Sequence, residues 1–197
     1  MRLIKNALRT SECVLAGAGI LLLTVAIGEV VRAKVYQVVE RRQFLGSAPS
    51  EDSGAQASRP TVGSAIGTIE IPRILLSAII VEGDGDNQLE LAAGHVPGTP
   101  LPGEPGNSAI AGHRDTIFRA LRLIRKDDEI AIVTHRGEFT YLVTSTQIVQ
   151  PGTIQVLRPT KADVLTLVTC FPFYFIGPAP QRFIVRAKRV GADAQRR

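Results

Sequence analysis

Between residues 13 and 31 the chain is apolar almost without a break, with Thr24 its clearly polar side chain and Glu29, near the far end, its one charge. A helix of that length spans a bilayer core of about 30 Å. Beyond it the pattern changes to short apolar or alternating runs bounded by turn residues. Segments 65–71, 74–81, 108–111, 130–134, 138–149, 164–169 and 182–190 predict strands. Residues 88–93 are short and helix-prone and stop at Gly94. Residues 116–123 predict a turn or two of helix, with Phe118, Leu121 and Ile124 at core spacing. The connections are a tight Pro72-Arg73 step, a turn at 83–87, a Pro/Gly-rich loop at 96–107, and an Arg136-Gly137 hairpin turn. Loops at 156–163 and 172–180 complete them. Many short strands with few helices predict an all-β barrel or sandwich. No internal repeat, heptad or nucleotide loop interrupts this reading.

The apolar run sets the expected topology. Arg2, Lys5 and Arg9 precede it and Arg32 and Lys34 follow, a weak bias toward a cytoplasmic N-terminus. A cleaved signal would show a shorter apolar core and a small-x-small site, whereas this run passes through Val30 and Val31 into Arg32. The other alternative is a buried core helix. We therefore expect a cytoplasmic segment at 1–12, a single-pass anchor in membrane lipid at 13–31, and a juxtamembrane segment and flexible linker at 32–62. A β-domain at 63–190 then lies outside the cytoplasm, on the periplasmic or cell-surface side, followed by a polar basic tail at 191–197. The linker is expected to begin near Arg42, because the small polar residues that follow cannot bury enough apolar surface to order themselves.

Composition narrows the function classes. With 45% hydrophobic and 21% charged residues, 18 Gly and 12 Pro, the chain is globular and loop-rich. The net charge of +5 favours anionic lipid or an acidic wall polymer. The basic residues form no stripe interleaved with aromatics, so no nucleic-acid partner is expected.

The chain has 2 cysteines, and Cys13 lies in the expected anchor. Cys170 is thus unpaired in an exported domain, where cysteines usually pair. It is either a buried small hydrophobe, an intermolecular link or a reactive thiol. Its place at the end of the 164–169 run, before Phe171-Pro172, mounts it on a rigid strand beside an open loop. His113 ends a second apolar run behind Gly112, and imidazole is a base or cationic partner for a thiol. Arg182 opens the strand after the 172–180 loop. If that strand pairs antiparallel with the one carrying Cys170, the guanidinium lies at the thiol's end of the sheet, placed to hold a carbonyl or oxyanion. The alternatives are a core cysteine, a surface histidine and a solvated arginine.

One exported cysteine with His95, His113 and His135 matches no compact zinc spacing, and neither metal nor cofactor is expected. His135 reads as a solvated hairpin residue. His95, beside the Pro/Gly-rich loop, is a candidate for a substrate-side or structural hydrogen bond.

The segments Asn107-Ser108-Ala109-Ile110-Ala111-Gly112-His113-Arg114-Asp115, Leu165-Thr166-Leu167-Val168-Thr169-Cys170 and Gln181-Arg182-Phe183-Ile184-Val185-Arg186 resemble, in that order, the sortases. These are cysteine transpeptidases of bacterial surfaces. The His113 segment, His95-Val96-Pro97-Gly98-Thr99 and residues 171–180 look most like class D and the related sortases of Gram-negative bacteria. The resemblance implies an eight-stranded β-barrel with short helices behind an N-terminal transmembrane helix.

It also implies a mechanism: a Cys170 thioester formed on a Leu-Pro-x-Thr-like sorting signal, His113 moving protons and Arg182 holding substrate or oxyanion. The implied partners are surface proteins carrying a C-terminal sorting signal and an amine acceptor, a peptidoglycan stem peptide or a pilin lysine. Thr169 next to the thiol, Arg158 in the loop that would choose the signal, and His95 are candidate substrate contacts. A calcium site, present in some members, needs converging carboxylates, and Asp84, Asp86 and Glu90 cluster only loosely.

Three further readings compete. A papain-like peptidase shares the residue types, but its usual order places cysteine before histidine and at a helix start. A membrane-anchored cysteine peptidase on the same fold, or an inert surface-protein-binding β-domain, fits the same pattern with water or nothing in the acceptor's place.

Overall fold

The computed structural model describes residues 2–46 and 59–191. The central part of the expected linker, 47–58, and nearly all of the basic tail, 192–197, lie outside the described residues. The chain divides into two compact units, 1–36 and 37–197.

The first unit belongs to one long helix, α1 (Arg2–Gly46). Its Val14–Phe44 stretch is long and apolar enough to cross a membrane, and its most apolar window is not buried against protein. The helix runs past Arg42, where the sequence reading begins the flexible linker. Residues 38–46 alternate valines and Phe44 with helix-favouring Glu, Arg and Gln, and only at Gly46 does a helix breaker arrive.

Within the second unit, residues 37–46 are bonded to the strands. The Gln37 amide donates to the Leu91 carbonyl at 2.5 Å and accepts from the Ile79 amide at 2.8 Å. Arg41 pairs with Glu70 and bonds Ser77, while Phe44 is buried with its ring centroid 4.1 Å from that of His135. His135 is exposed in its hairpin turn, as expected, yet it packs one ring face.

The rest is an eight-stranded closed barrel: β1 (Ala65–Ile71), β2 (Leu76–Glu82), β3 (Ala93–His95), β4 (Asn107–Ala111), β5 (Glu129–Thr134), β6 (Gly137–Val149), β7 (Val164–Phe171) and β8 (Gln181–Arg189). Around the barrel the order is β1, β2, β3, β4, β7, β8, β6, β5, with β5 closing onto β1. Closure leaves no edge exposed to other chains. The pairs β2/β3 and β4/β7 are parallel and the others antiparallel. A short helix α2 (Asp86–Leu89) precedes β3, and 3₁₀ turns lie at Pro72–Ile74, Ile117–Leu123 and Ile154–Leu157.

The interior is filled by alternate residues of the strands, among them Ile69, Ile71, Ile80, Ile110, Ile130, Ile132, Leu165, Leu167 and Val185, closed at one side by Phe118 and Leu121. Each such side chain contributes about 1.5–3 kcal/mol of transfer free energy. β3 departs from the sequence reading, which ends a helical segment there. The chain turns instead at Leu89 and contributes Ala93, Gly94 and His95 as a short parallel strand beside β2.

Candidate active site

Strand alternation decides which side chains face outward. In β7, Leu165 and Leu167 enter the core, so Val168 and Cys170 stand on the outer face. In β8, Val185 and Ala187 are internal, so Arg182 and Ile184 stand outside. The antiparallel register sets Cys170 opposite Arg182 and Val168 opposite Ile184. Directly opposed residues share a face with Cβ atoms about 4.5–5.5 Å apart. On the other side of β8, Val149 of β6 also opposes Arg182.

His113 reaches the same level by a different route. β4 runs parallel to β7 with Ala111 beside Val168, so His113 and Cys170 each lie two residues beyond a paired position. The chains remain joined past that pair: the Gly112 amide donates to the Val168 carbonyl at 3.1 Å, and the Thr169 hydroxyl to the Gly112 carbonyl at 2.7 Å. Gly112 is glycine for want of space, since a Cβ there would lie 2.7 Å from the ring of buried Phe118. Cys170 is a free, half-buried thiol, and His113 and Arg182 are half-buried too. Arg182 Nη1 donates to the carbonyls of Gln181 at 3.0 Å and Ala179 at 3.3 Å, which anchors the guanidinium and leaves its Nε and Nη2 hydrogens for another acceptor.

An open cleft of about 290 Å³ runs up to this end of the sheet. Val168 and Ile184 form its floor, Val149, Ile154, Val156 and Leu157 its apolar wall, and Asp84 and Arg182 are its charged members. The wall is pinned to the floor by Asn107. This buried amide donates to the carbonyls of Val156 at 2.9 Å and Arg158 at 3.1 Å, and its oxygen accepts from the Thr166 hydroxyl at 2.6 Å. A larger hollow, about 460 Å³ and lined by Lys161, Asp163, Lys188 and Arg189, lies where β7 begins and β8 ends, away from the thiol.

The three candidate substrate contacts are placed differently. Thr169 is buried and points inward, bonding the His113 segment through Gly112. Arg158 is exposed and outside the cleft lining; what it supplies is its carbonyl to Asn107. His95 is buried with both ring nitrogens engaged, Nδ1 2.7 Å from Glu82 and Nε2 3.0 Å from both Pro100 O and Thr99 Oγ1. It braces the Pro/Gly-rich loop. Among the described residues no three or more His, Cys, Asp or Glu side chains converge as a metal site would require. Asn107 and Arg114 escaped the sequence reading. A polar residue opening an apolar strand was the one signal for Asn107, and for Arg114 only its place beside His113.

The closed barrel thus sets an outward thiol, an opposed arginine and an adjacent histidine segment at one end of its sheet. Residues 69–190 match the sortase domain family, and the chain belongs to the sortases, enzymes of cysteine-dependent acyl transfer. It is 34% identical over 168 residues to sortase D of Bacillus subtilis, covering 80% of this chain and 85% of that one. Its structure resembles a Clostridium perfringens sortase D5 transpeptidase, with a TM-score of 0.68, 29% identity, and coverage of 80% of this chain and 98% of the other. Sortase C of Clostridium perfringens SM101 gives a TM-score of 0.62 at 26% identity, covering 83% of this chain and 88% of that one. These organisms are Gram-positive. The matches therefore carry a sortase of the C and D type and not a specifically Gram-negative branch.

Proposed function

We propose that the chain cleaves a Leu-Pro-x-Thr-like signal on surface proteins through a Cys170 thioester and passes the acyl part to an amine at the cell surface. The observation that carries this reading is the direct opposition of Cys170 and Arg182 at the end of an apolar cleft. An extended peptide lying on Val168 and Ile184 brings a carbonyl to the thiol and its oxygen toward the free guanidinium hydrogens.

The Cys170 thiolate attacks that carbonyl, and the guanidinium stabilises the oxyanion. On collapse the C–N bond breaks and the departing amine takes a proton from the His113 imidazolium, leaving a thioester. An incoming amine attacks the thioester, gives its proton to His113 and releases the thiolate. Water in the amine's place yields hydrolysis. The apolar wall at Ile154–Leu157 is suited to the leucine end of the signal. On this reading the chain crosses the membrane once, through its N-terminal helix, with the N-terminus cytoplasmic and the barrel outside, where a peptidoglycan stem peptide or a pilin lysine supplies the amine; the helix's length and apolarity support the single span.

The full chain in detergent, incubated with a library of Leu-Pro-x-Thr peptides and candidate amines, is expected to give a joined product and an acyl adduct mapped by mass to Cys170. Adduct with water-cleaved peptide alone, whatever amine is offered, makes it a peptidase on this fold. An adduct on no peptide sinks the reading.

A further inference from the structure

The residue after His113 is a half-buried arginine whose guanidinium is bonded to a neighbouring loop. Arg114 Nη1 donates to the Pro172 carbonyl at 3.1 Å, and Nη2 to the carbonyls of Phe175 at 2.8 Å and Gly177 at 2.9 Å. Its guanidinium also lies 5.8 Å from the centroid of the Phe175 ring. All three acceptors belong to the connection between β7 and β8, which has no regular backbone pairing to hold it. Three carbonyls met through two nitrogens of one planar group suit a guanidinium fork; an ammonium gathers its three donors on a single nitrogen and does not reproduce that spread.

The position of this clamp gives it meaning. The Thr169 hydroxyl already ties the residue before Cys170 to the residue before His113. Arg114 ties the residue after His113 to Pro172, two beyond Cys170. The two segments are thus laced together on both sides of the thiol and the imidazole. Resting on the functional reading above, we propose that Arg114 is a positioning residue: it holds the loop that follows Cys170 against the His113 segment and so keeps thiol and imidazole in reactive register. A displacement of about 1 Å between reacting groups costs up to 10²-fold in rate without weakening substrate binding.

The test compares Arg114→Ala, Arg114→Lys and Arg119→Ala in the full chain in detergent, on a quenched peptide containing Leu-Pro-Ala-Thr-Gly. Arg119 is the control, because its guanidinium meets the same loop only at the Tyr174 ring, 5.8 Å from the centroid. Arg114→Ala is expected to lower kcat by about ten-fold or more with KM within two-fold of wild type, Arg114→Lys to fall between, and Arg119→Ala to match wild type. In parallel, hydrogen exchange of the Gly112 and Phe118 amides, which bond Val168 O and His113 O, is expected to quicken in Arg114→Ala. An unchanged kcat in a folded Arg114→Ala overturns the proposal, and so does a loss shared equally by Arg119→Ala. If the alanine variant does not fold, Arg114→Lys decides by the same two readouts. If wild type leaves the peptide uncut, that signal is wrong for the enzyme, and unaltered exchange at Gly112 and Phe118 still overturns the positioning role.

Discussion

Cys170 and Arg182 are register partners across the β7–β8 ladder, so both side chains leave the outer face of the barrel at one level. A guanidinium fixed there by the Gln181 and Ala179 carbonyls presents its remaining hydrogens in a set plane. Replacing Arg182 by Lys keeps the charge and removes the fork. We expect Arg182→Lys to lower kcat/KM by about 10²-fold while the melting temperature holds, read by steady-state peptide cleavage beside a thermal melt. An Arg182→Lys enzyme with near wild-type kcat/KM would show that charge alone suffices.

Gly112→Ala tests the crowding behind His113. The added methyl would sit 2.7 Å from a ring carbon of Phe118, which is fully buried and has nowhere to retreat. Overpacking of this kind costs about 1–3 kcal/mol. Denaturant unfolding should register that loss, and acylation of Cys170 should slow with it, since the backbone that must yield is the one carrying His113.

Asp128 anchors a pH-dependent brace far from the cleft. The Arg73 guanidinium beside it, followed by the Arg125 amide, holds its carboxyl below the ordinary value of 3.8 against the opposing effect of burial. Because the folded-state value is depressed, the stabilisation is complete above the unfolded value and drains away as pH falls through the folded one. Asp128→Asn should therefore lower the melting temperature at pH 7 by about 5 °C. That difference should shrink toward zero as the pH drops below the ordinary carboxylate range. A constant difference across the whole pH series would contradict the pairing.

Residues 37–46 belong to the barrel unit, so a fragment starting at Gly63 lacks the Gln37, Arg41 and Phe44 contacts. We expect the 37–197 fragment to melt several degrees above the 63–197 fragment, and Phe44→Ala to remove part of that gain. Equal melting points would mean these contacts add nothing in solution.

Why some of this was legible beforehand follows from the physics of each element. Strands such as Leu165 to Thr169 announce themselves by a sustained apolar run, and so the strand-end placement of Cys170 was readable; the antiparallel pairing with the strand carrying Arg182 stood only as a condition, which the register meets. β3 was not. Ala93, Gly94 and His95 carry neither alternation nor bulk, and Gly94 is required because a Cβ would strike the Gly83 carbonyl at 2.3 Å. Asn107 and Arg114 act through bonds to backbone carbonyls more than forty residues away, which no local pattern encodes. The helical continuation to Gly46 was misjudged because small polar residues lie just beyond it.

The order of strands around the barrel has a consequence for the chain as it is made. Among the described strands β7 lies between β4 and β8, and β8 lies between β7 and β6. The β4/β7 and β6/β8 pairings join segments distant in sequence, and such pairings are completed only after the cost of closing long loops has been met. A nascent chain thus presents His113, then Cys170, as separate unassembled groups. Until Gln181–Arg189 arrives between β7 and β6, the emerging polypeptide has no guanidinium beside the thiol and no closed barrel to mount either. Of the described strands, the last to be made is therefore the one that brings Arg182 beside Cys170 and closes the sheet.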